Sequence, residues 1–261
     1  MSHSIHFSCT KCGKCCHDLG LPLSVEEAIA WLRAGGDVKC FSEAISWPVE
    51  PDVANLPAQH KRKRSFPAQS GKLPVRVTVT LVALFDGPCP NLGADMRCGI
   101  YSERPRVCRI YPAEVNPLIR LDPVSKACPP EAWTVDMPLF AHDGRVVDTT
   151  TESLIEASRR ADSADVAAKE ILCQSLGISI AAMANEGVAV WSFERGVMSR
   201  ALEACRDGVG REPAGGSQWR LMTNRDSTYQ ILEEIGAHPL SGSVSHDERL
   251  SYVDFSGGGN S

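Results

Sequence analysis

Nothing in this chain approaches the run of about 20 apolar residues that a bilayer-spanning helix needs, so no transmembrane helix is expected. The opening residues, Met1-Ser-His-Ser-Ile-His-Phe-Ser8, have neither the basic n-region nor the apolar h-region of a secretory signal. An excess of positive charge is missing as well. Lys and Arg number 27 against 32 Asp and Glu, a net charge of −5, which argues against a generally basic nucleic-acid-binding surface. Membrane and nucleic acid are therefore not expected partners, and the cytoplasm is the expected location.

Most catalytic signatures are absent too. There is no Walker loop, no G-x-S-x-G elbow and no H-E-x-x-H. Gly208-Val-Gly210 and Gly215-Gly216 follow no convincing strand, which makes them weak as nucleotide loops. The C-x3-C-x2-C spacing of a radical S-adenosylmethionine enzyme is not met, because position 19 is Leu19. No internal repeat is found.

Cysteine is abundant. Eleven are present, nine of them at or before Cys128. Four fall within Phe7-Ser-Cys-Thr-Lys-Cys-Gly-Lys-Cys-Cys16, a density that core packing does not require. In a reducing compartment such clusters read as ligands or redox groups rather than disulfides. Cys9, Cys12 and Cys15 follow a ferredoxin-like x2, x2 rhythm, whose fourth ligand comes from afar and is often followed by proline. Cys89-Pro90 and Cys128-Pro129 have that context, and Cys98 and Cys108 add two more thiols. The eight would make two sites of four sulfurs, or one cluster plus redox-active thiols. Adjacent Cys15 and Cys16 point in different directions and are expected to serve different sites or sides.

The second region has no C-x2-C pair, which fits an iron–sulfur cluster, expected as 4Fe-4S, somewhat better than the paired knuckles of structural zinc. Thiolate affinity alone does not choose between zinc and iron. Arg104 and Arg109 could donate hydrogen bonds to thiolates and offset their charge. His3, His6 and His17 lie near the cysteines and are weaker candidate ligands. Asp18 either accepts a hydrogen bond in the loop or faces water.

The combination C-x2-C-x2-C-C, then Cys89-Pro90, then Cys98-Gly-Ile-Tyr-Ser-Glu-Arg-Pro-Arg-Val-Cys-Arg-Ile-Tyr-Pro112 resembles the YkgJ-type cysteine-cluster proteins of bacteria, described as zinc- or iron-chelating. The resemblance spans about residues 7–130. It implies that Cys9, Cys12, Cys15, Cys16, Cys89, Cys98, Cys108 and Cys128 are the chelating set. Members are often labelled Fe–S oxidoreductases, which implies electron transfer with a redox partner. The family is also similar to the flagellin lysine methylase, implying protein modification as an alternative. A third reading is a zinc-stabilised module presenting the basic stretch Lys61–Arg64 to a partner.

The expected fold class is α+β: an irregular cysteine-rich region with a short strand or small sheet over residues 1–148, a helical region over 149–240, and a disordered tail over 241–261. Its length, 261 residues, suffices to bury a core without metal. Ser24 and Glu27 form a capping box ahead of a helix of about ten residues that Gly35 or Gly36 stops. Residues 41–74, rich in proline and polar groups, read as an exposed insertion. Residues 75–85 read as a strand. Helices are expected over 151–162, 164–176, 178–186, 193–206 and 227–236. The isolated Cys40, Cys173 and Cys205 lie outside the clusters, and Cys173 and Cys205 read as packing residues.

Overall fold

The structure is a computed structural model and describes residues 4–207, 217–243 and 247–255. His3, the glycine pairs of 208–216 and the last six residues of the tail lie outside the described residues. Strands β1 (Ser4–His6) and β2 (His17–Leu23) precede helix α1 (Val25–Arg33), strand β3 (Lys39–Ser46) and helix α2 (Leu56–Lys63). Strand β4 (Ser65–Ser70) leads into the long β5 (Leu73–Pro88). Helix α3 (Arg106–Ile110) and strands β6 (Leu139–His142) and β7 (Arg145–Val146) follow. Helices α4 (Thr149–Ala164) and α5 (Val166–Leu176) come next, then strands β8 (Ile180–Met183) and β9 (Gly187–Trp191) and helix α6 (Arg195–Arg206). The chain continues through β10 (Arg220–Thr223), α7 (Asp226–Glu234), β11 (Pro239–Ser241) and β12 (Leu250–Asp254). The fold class is α+β.

Two compact units result. One holds the chain up to Leu23 together with Ala83–Ala161; the other holds Ser24–Val82 with the chain from Asp162 onward. This division differs from a contiguous split at residue 148, because the expected insertion belongs with the C-terminal half.

In the second unit β3 is the hub. It pairs antiparallel with β5 and β9 and parallel with β8, while β8, β10 and β11 run parallel to one another. The supposed exposed insertion thus begins as the centre of a sheet, while its stretch 47–63 is exposed or half-buried. Its prolines obscured the alternation Cys40, Ser42, Ala44, whose side chains are all buried. The segment 178–186, expected as a helix, supplies β8. A short apolar run such as Ile180-Ala-Ala-Met183 has no period that separates strand from helix, and β8, hydrogen-bonded on both sides, buries both faces. Gly177, in the left-handed conformation at φ 71°, ends α5 and turns the chain into it. Among the described residues, the stretch expected to be a disordered tail contains β12, which pairs antiparallel with β9 along Leu250–Asp254.

Helix α1 begins as expected: the Ser24 hydroxyl accepts from the Glu27 amide and the Glu27 carboxylate accepts from the Ser24 amide. Lys61–Lys63 ends helix α2 with Arg64 as its C-cap, and Arg62 and Arg64 pair with Glu50 and Asp162.

The cysteine-bearing unit has its own small core of Ile5, Phe7, Ile110, Ala113, Ala132, Phe140, Ala141 and Ile155. Phe7 packs 4.6 Å from the Trp133 ring and edge-on to Phe140 at 5.2 Å. A three-stranded antiparallel sheet, β1-β6-β7, closes one side of it. Apolar burial, not metal alone, therefore holds the loops that follow.

Candidate metal centre

The first cysteine loop is built by two left-handed residues, Lys11 at φ 56° and Gly13 at φ 71°. They curl the chain so that the Cys16 amide donates to the Gly13 carbonyl at 2.9 Å. Glycine is required at position 13. A Cβ there would lie 2.5 Å from the Met96 carbonyl oxygen and 3.0 Å from Leu92 Cδ1, so only glycine allows that approach.

The second region is pinned to the first through backbone. The Cys89 amide donates to the Cys16 carbonyl at 2.8 Å, and the Gly87 amide donates to Asp18 Oδ1 at 2.6 Å. Asp18 thus accepts a hydrogen bond within the loop region while remaining exposed to water. Cys98 is held by a tight loop in which Gly93 donates to the Arg97 carbonyl and Gly99 to the Asn91 carbonyl. Cys108 rides on α3, whose entry is set by Pro105 as N-cap. Cys128 packs against the small apolar core.

Seven of the eight thiols (Cys9, Cys12, Cys15, Cys16, Cys98, Cys108 and Cys128) line one cavity of about 150 Å³. Cys89 does not line it but lies close enough to Cys16 and Cys108 to raise their pKa values electrostatically. Cysteines from both ends of the 120-residue span line the same cavity. All eleven cysteines are free thiols; Sγ of Cys15 and Cys16 stand 4.0 Å apart, beyond the disulfide length of about 2.05 Å.

The electrostatic neighbours are uneven. Burial pushes the Cys16 thiol up to about 12, with Cys15, Cys89 and Cys98 adding to the rise. Burial likewise pushes Cys108 to about 12, partly offset by Arg104 and reinforced by Cys16, Cys89 and Cys98. Cys89 is raised by burial and by Cys98. Burial raises Cys128 against the Tyr111 hydroxyl, and there the adding thiols are Cys9 and Cys12. Burial also raises Cys15, with Cys128 and Cys9 ahead of Cys108. Cys12 goes the other way. Burial opposes its ionisation, but hydrogen bonds from the Lys14 amide, the Thr10 hydroxyl and its own amide, with the Lys14 charge, outweigh it.

Arg104 and Arg109 both line the cavity. Arg104 Nε donates to the Tyr101 carbonyl at 2.9 Å and its guanidinium stacks 3.7 Å from the Tyr101 ring centre, so its help to Cys108 comes through charge. The tyrosines were missed by sequence reasoning. Tyr101 is within hydrogen-bond reach of Cys9 and Tyr111 of Cys128, and the Tyr111 oxygen also accepts from the Ala127 amide at 2.7 Å. Their signal was there, since both lie inside the C-x-I-Y-x-x-R-P-x-x-C-R-x-Y-P run. His6 Nδ1 bonds the Met137 carbonyl at 2.7 Å, and neither His6 nor His17 lines the cavity.

Residues 8–129, just under half of the chain, match the family model CxxCxxCC, described as "Putative zinc- or iron-chelating domain". That segment is similar to the CxxCxxCC family. No curated protein and no solved structure matches the chain. The CxxCxxCC segment coincides with the thiol-lined cavity, and its donor set, sulfur throughout, is the soft kind that zinc and iron take. As they stand, no three His, Cys, Asp or Glu side chains among the described residues converge tightly enough to hold a single ion. The thiols face a shared space instead of one point. No described helix is long and apolar enough to cross a membrane.

Proposed function

We propose that the CxxCxxCC segment binds iron–sulfur clusters at two four-thiolate sites, and that the protein is a cytoplasmic electron carrier or Fe–S oxidoreductase acting with a protein redox partner. The observation that carries the reading is the single cavity lined by seven thiols with the eighth beside it. One site would take Cys9, Cys12, Cys15 and Cys128, the ferredoxin-like triple with a Cys-Pro partner. The other would take Cys16, Cys89, Cys98 and Cys108. The uneven electrostatic neighbours support this sorting, and Cys15 and Cys16 stand at its border.

Iron–sulfur is favoured over mononuclear zinc by the spacing of the donors. A zinc ion needs sulfurs about 2.3 Å from one centre, whereas thiols spread around a volume suit a cluster with several metal atoms. When bound, the clusters would supply one-electron chemistry. Around them this chain contributes hydroxyl donors from Tyr101 and Tyr111 and the positive charge of Arg104, which stabilise sulfur-borne negative charge.

Anaerobic purification followed by iron, sulfide and zinc analysis tests the reading. Iron and acid-labile sulfide in near-equal amounts, with a visible charge-transfer band, are expected. Stoichiometric zinc without sulfide would replace the electron carrier by a zinc-stabilised module. A fully folded protein without metal would reject both.

A further inference from the structure

Helix α2 differs from every other described α-helix in burying no side chain. An eight-residue helix is marginal by itself and normally gains its stability from a packed face. With none packed, α2 is held by local bonds. The Asn55 side chain accepts from the Ala58 amide at 3.1 Å, and Gln59 Nε2 donates to the Pro51 and Asp52 carbonyls at 3.4 and 3.3 Å. An Arg62–Glu50 ion pair ties the far end of the helix to the same stretch. Residues 49–55 are thereby folded back along α2.

This element is aliphatic at one end and cationic at the other. Val49, Val53 and Leu56 are 77%, 83% and 66% exposed, three large apolar side chains within eight positions. Lys63 comes seven residues after Leu56 and so lies on the same face of α2, and both are exposed. From Trp47 to Arg64 there are four cations (Lys61, Arg62, Lys63, Arg64) against two carboxylates (Glu50, Asp52), in a chain whose net charge is −5. Both carboxylates are engaged, Glu50 with Arg62 and the Trp47 indole, Asp52 with the Ala54 amide. Arg64 pairs with Asp162, and Lys61 and Arg64 lie near Glu43.

We infer that this element is a peripheral anchor for an anionic lipid surface. Val49, Val53 and Leu56 enter the boundary between headgroups and acyl chains, and Lys61, Arg62 and Lys63 lie among the lipid phosphates. Such a contact requires no spanning helix. Residue types favour a bilayer over an acidic protein. Protein hot spots draw on Trp, Tyr and Arg in fitted pockets, with Val and Leu under-represented, whereas a lipid surface takes projecting aliphatic side chains without a shape to match. Trp47 is half-buried, with its N–H already bonded to Glu50.

Cosedimentation of the full-length protein with vesicles of phosphatidylcholine alone, and of phosphatidylcholine carrying about one-third phosphatidylglycerol, tests the inference. Binding is expected to the anionic vesicles only, and it falls as salt rises. Lys61→Ala with Lys63→Ala lowers the partition by roughly twentyfold, since each cation near such a surface contributes about fivefold. Val53→Ser with Leu56→Ser lowers it by roughly tenfold or more through lost apolar burial. Both pairs keep the thermal midpoint, because none of the four side chains is buried. Val53→Trp, at the most exposed of these positions, adds emission that moves to shorter wavelength when anionic vesicles are present. Absence of sedimentation with anionic vesicles at low salt would overturn the inference. Equal binding to both lipid compositions, binding indifferent to both variant pairs, or unshifted emission from Val53→Trp would do the same. Capture of polyglutamate without vesicle binding would assign the cations to an acidic protein and overturn it equally.

Discussion

The Cys89 amide donates a 2.8 Å hydrogen bond to the Cys16 carbonyl, joining two cysteine regions separated by 73 positions in sequence. With the Gly87 amide on Asp18 two residues away on each strand, this bond sets the second region beside the first before any side chain is considered. The thiols share one cavity because the backbone brings the two regions together.

Gly13→Ala tests how finely the first loop is fitted. A non-glycine residue in the left-handed region costs about 1–2 kcal/mol, and the new Cβ would meet the Met96 carbonyl, a backbone atom with little freedom to yield. The expected result is a lower thermal midpoint and reduced metal content in anaerobically purified protein. A variant with unchanged metal and midpoint would show the loop to be slack.

Tyr111→Phe removes a hydroxyl that accepts from the Ala127 amide and reaches Cys128. Loss of the donor to sulfur makes reduction harder, so the midpoint potential of the proposed cluster should fall. Stability should drop by about 1 kcal/mol. Potentiometry on wild type and variant reads the first effect and denaturant titration the second. An unmoved potential would mean that the hydroxyl serves the backbone alone.

Cys12 should be alkylated ahead of Cys16 and Cys108 in metal-free protein. Its thiol is held below the ordinary value, whereas Cys16 and Cys108 are pushed up to about 12, and it is the thiolate that reacts. Limited iodoacetamide treatment at neutral pH followed by peptide mass spectrometry should label Cys12 well ahead of Cys16 and Cys108. Preferential labelling of Cys108 would contradict the electrostatics.

Cys40 lies fully buried in β3, and burial pushes its thiol up from 9.0 to about 12. An unfolded chain ionises it near 9.0, so above that pH the unfolded state releases a proton that the folded state keeps. The stability tied to the neutral thiol is complete below that pH and is lost as pH rises towards 12. Cys40→Ala should therefore lower stability at neutral pH by about 1 kcal/mol, through lost packing. It should also make the alkaline decline shallower. Denaturant midpoints measured across that range check both parts, and a steeper decline would refute the assignment.

The cysteine region was readable because its signals are chemical and local. The thiol positions and the helix capped by Ser24 follow from residue types at fixed spacings. Tertiary context decided what was misread. Ile180-Ala-Ala-Met183 is buried on both faces and shows no period, and the prolines that follow Lys39–Ser46, Pro48 and Pro51, hid the strand on which the second sheet is centred. The unpartnered polar atoms of Glu170 and Gln174 could not have been singled out, since only the packing around α5 shows that they lack partners. Tyr101 and Tyr111 were in view but were not weighed as donors to sulfur.

The account turns on two foursomes of cysteine, and metal analysis of Cys15→Ser and Cys16→Ser beside wild type addresses that directly. Each variant should lose one site and keep the other, halving iron and sulfide per chain while leaving different residual spectra. Complete loss of metal from both variants, or identical spectra after equal loss, would contradict the division and point to one shared centre.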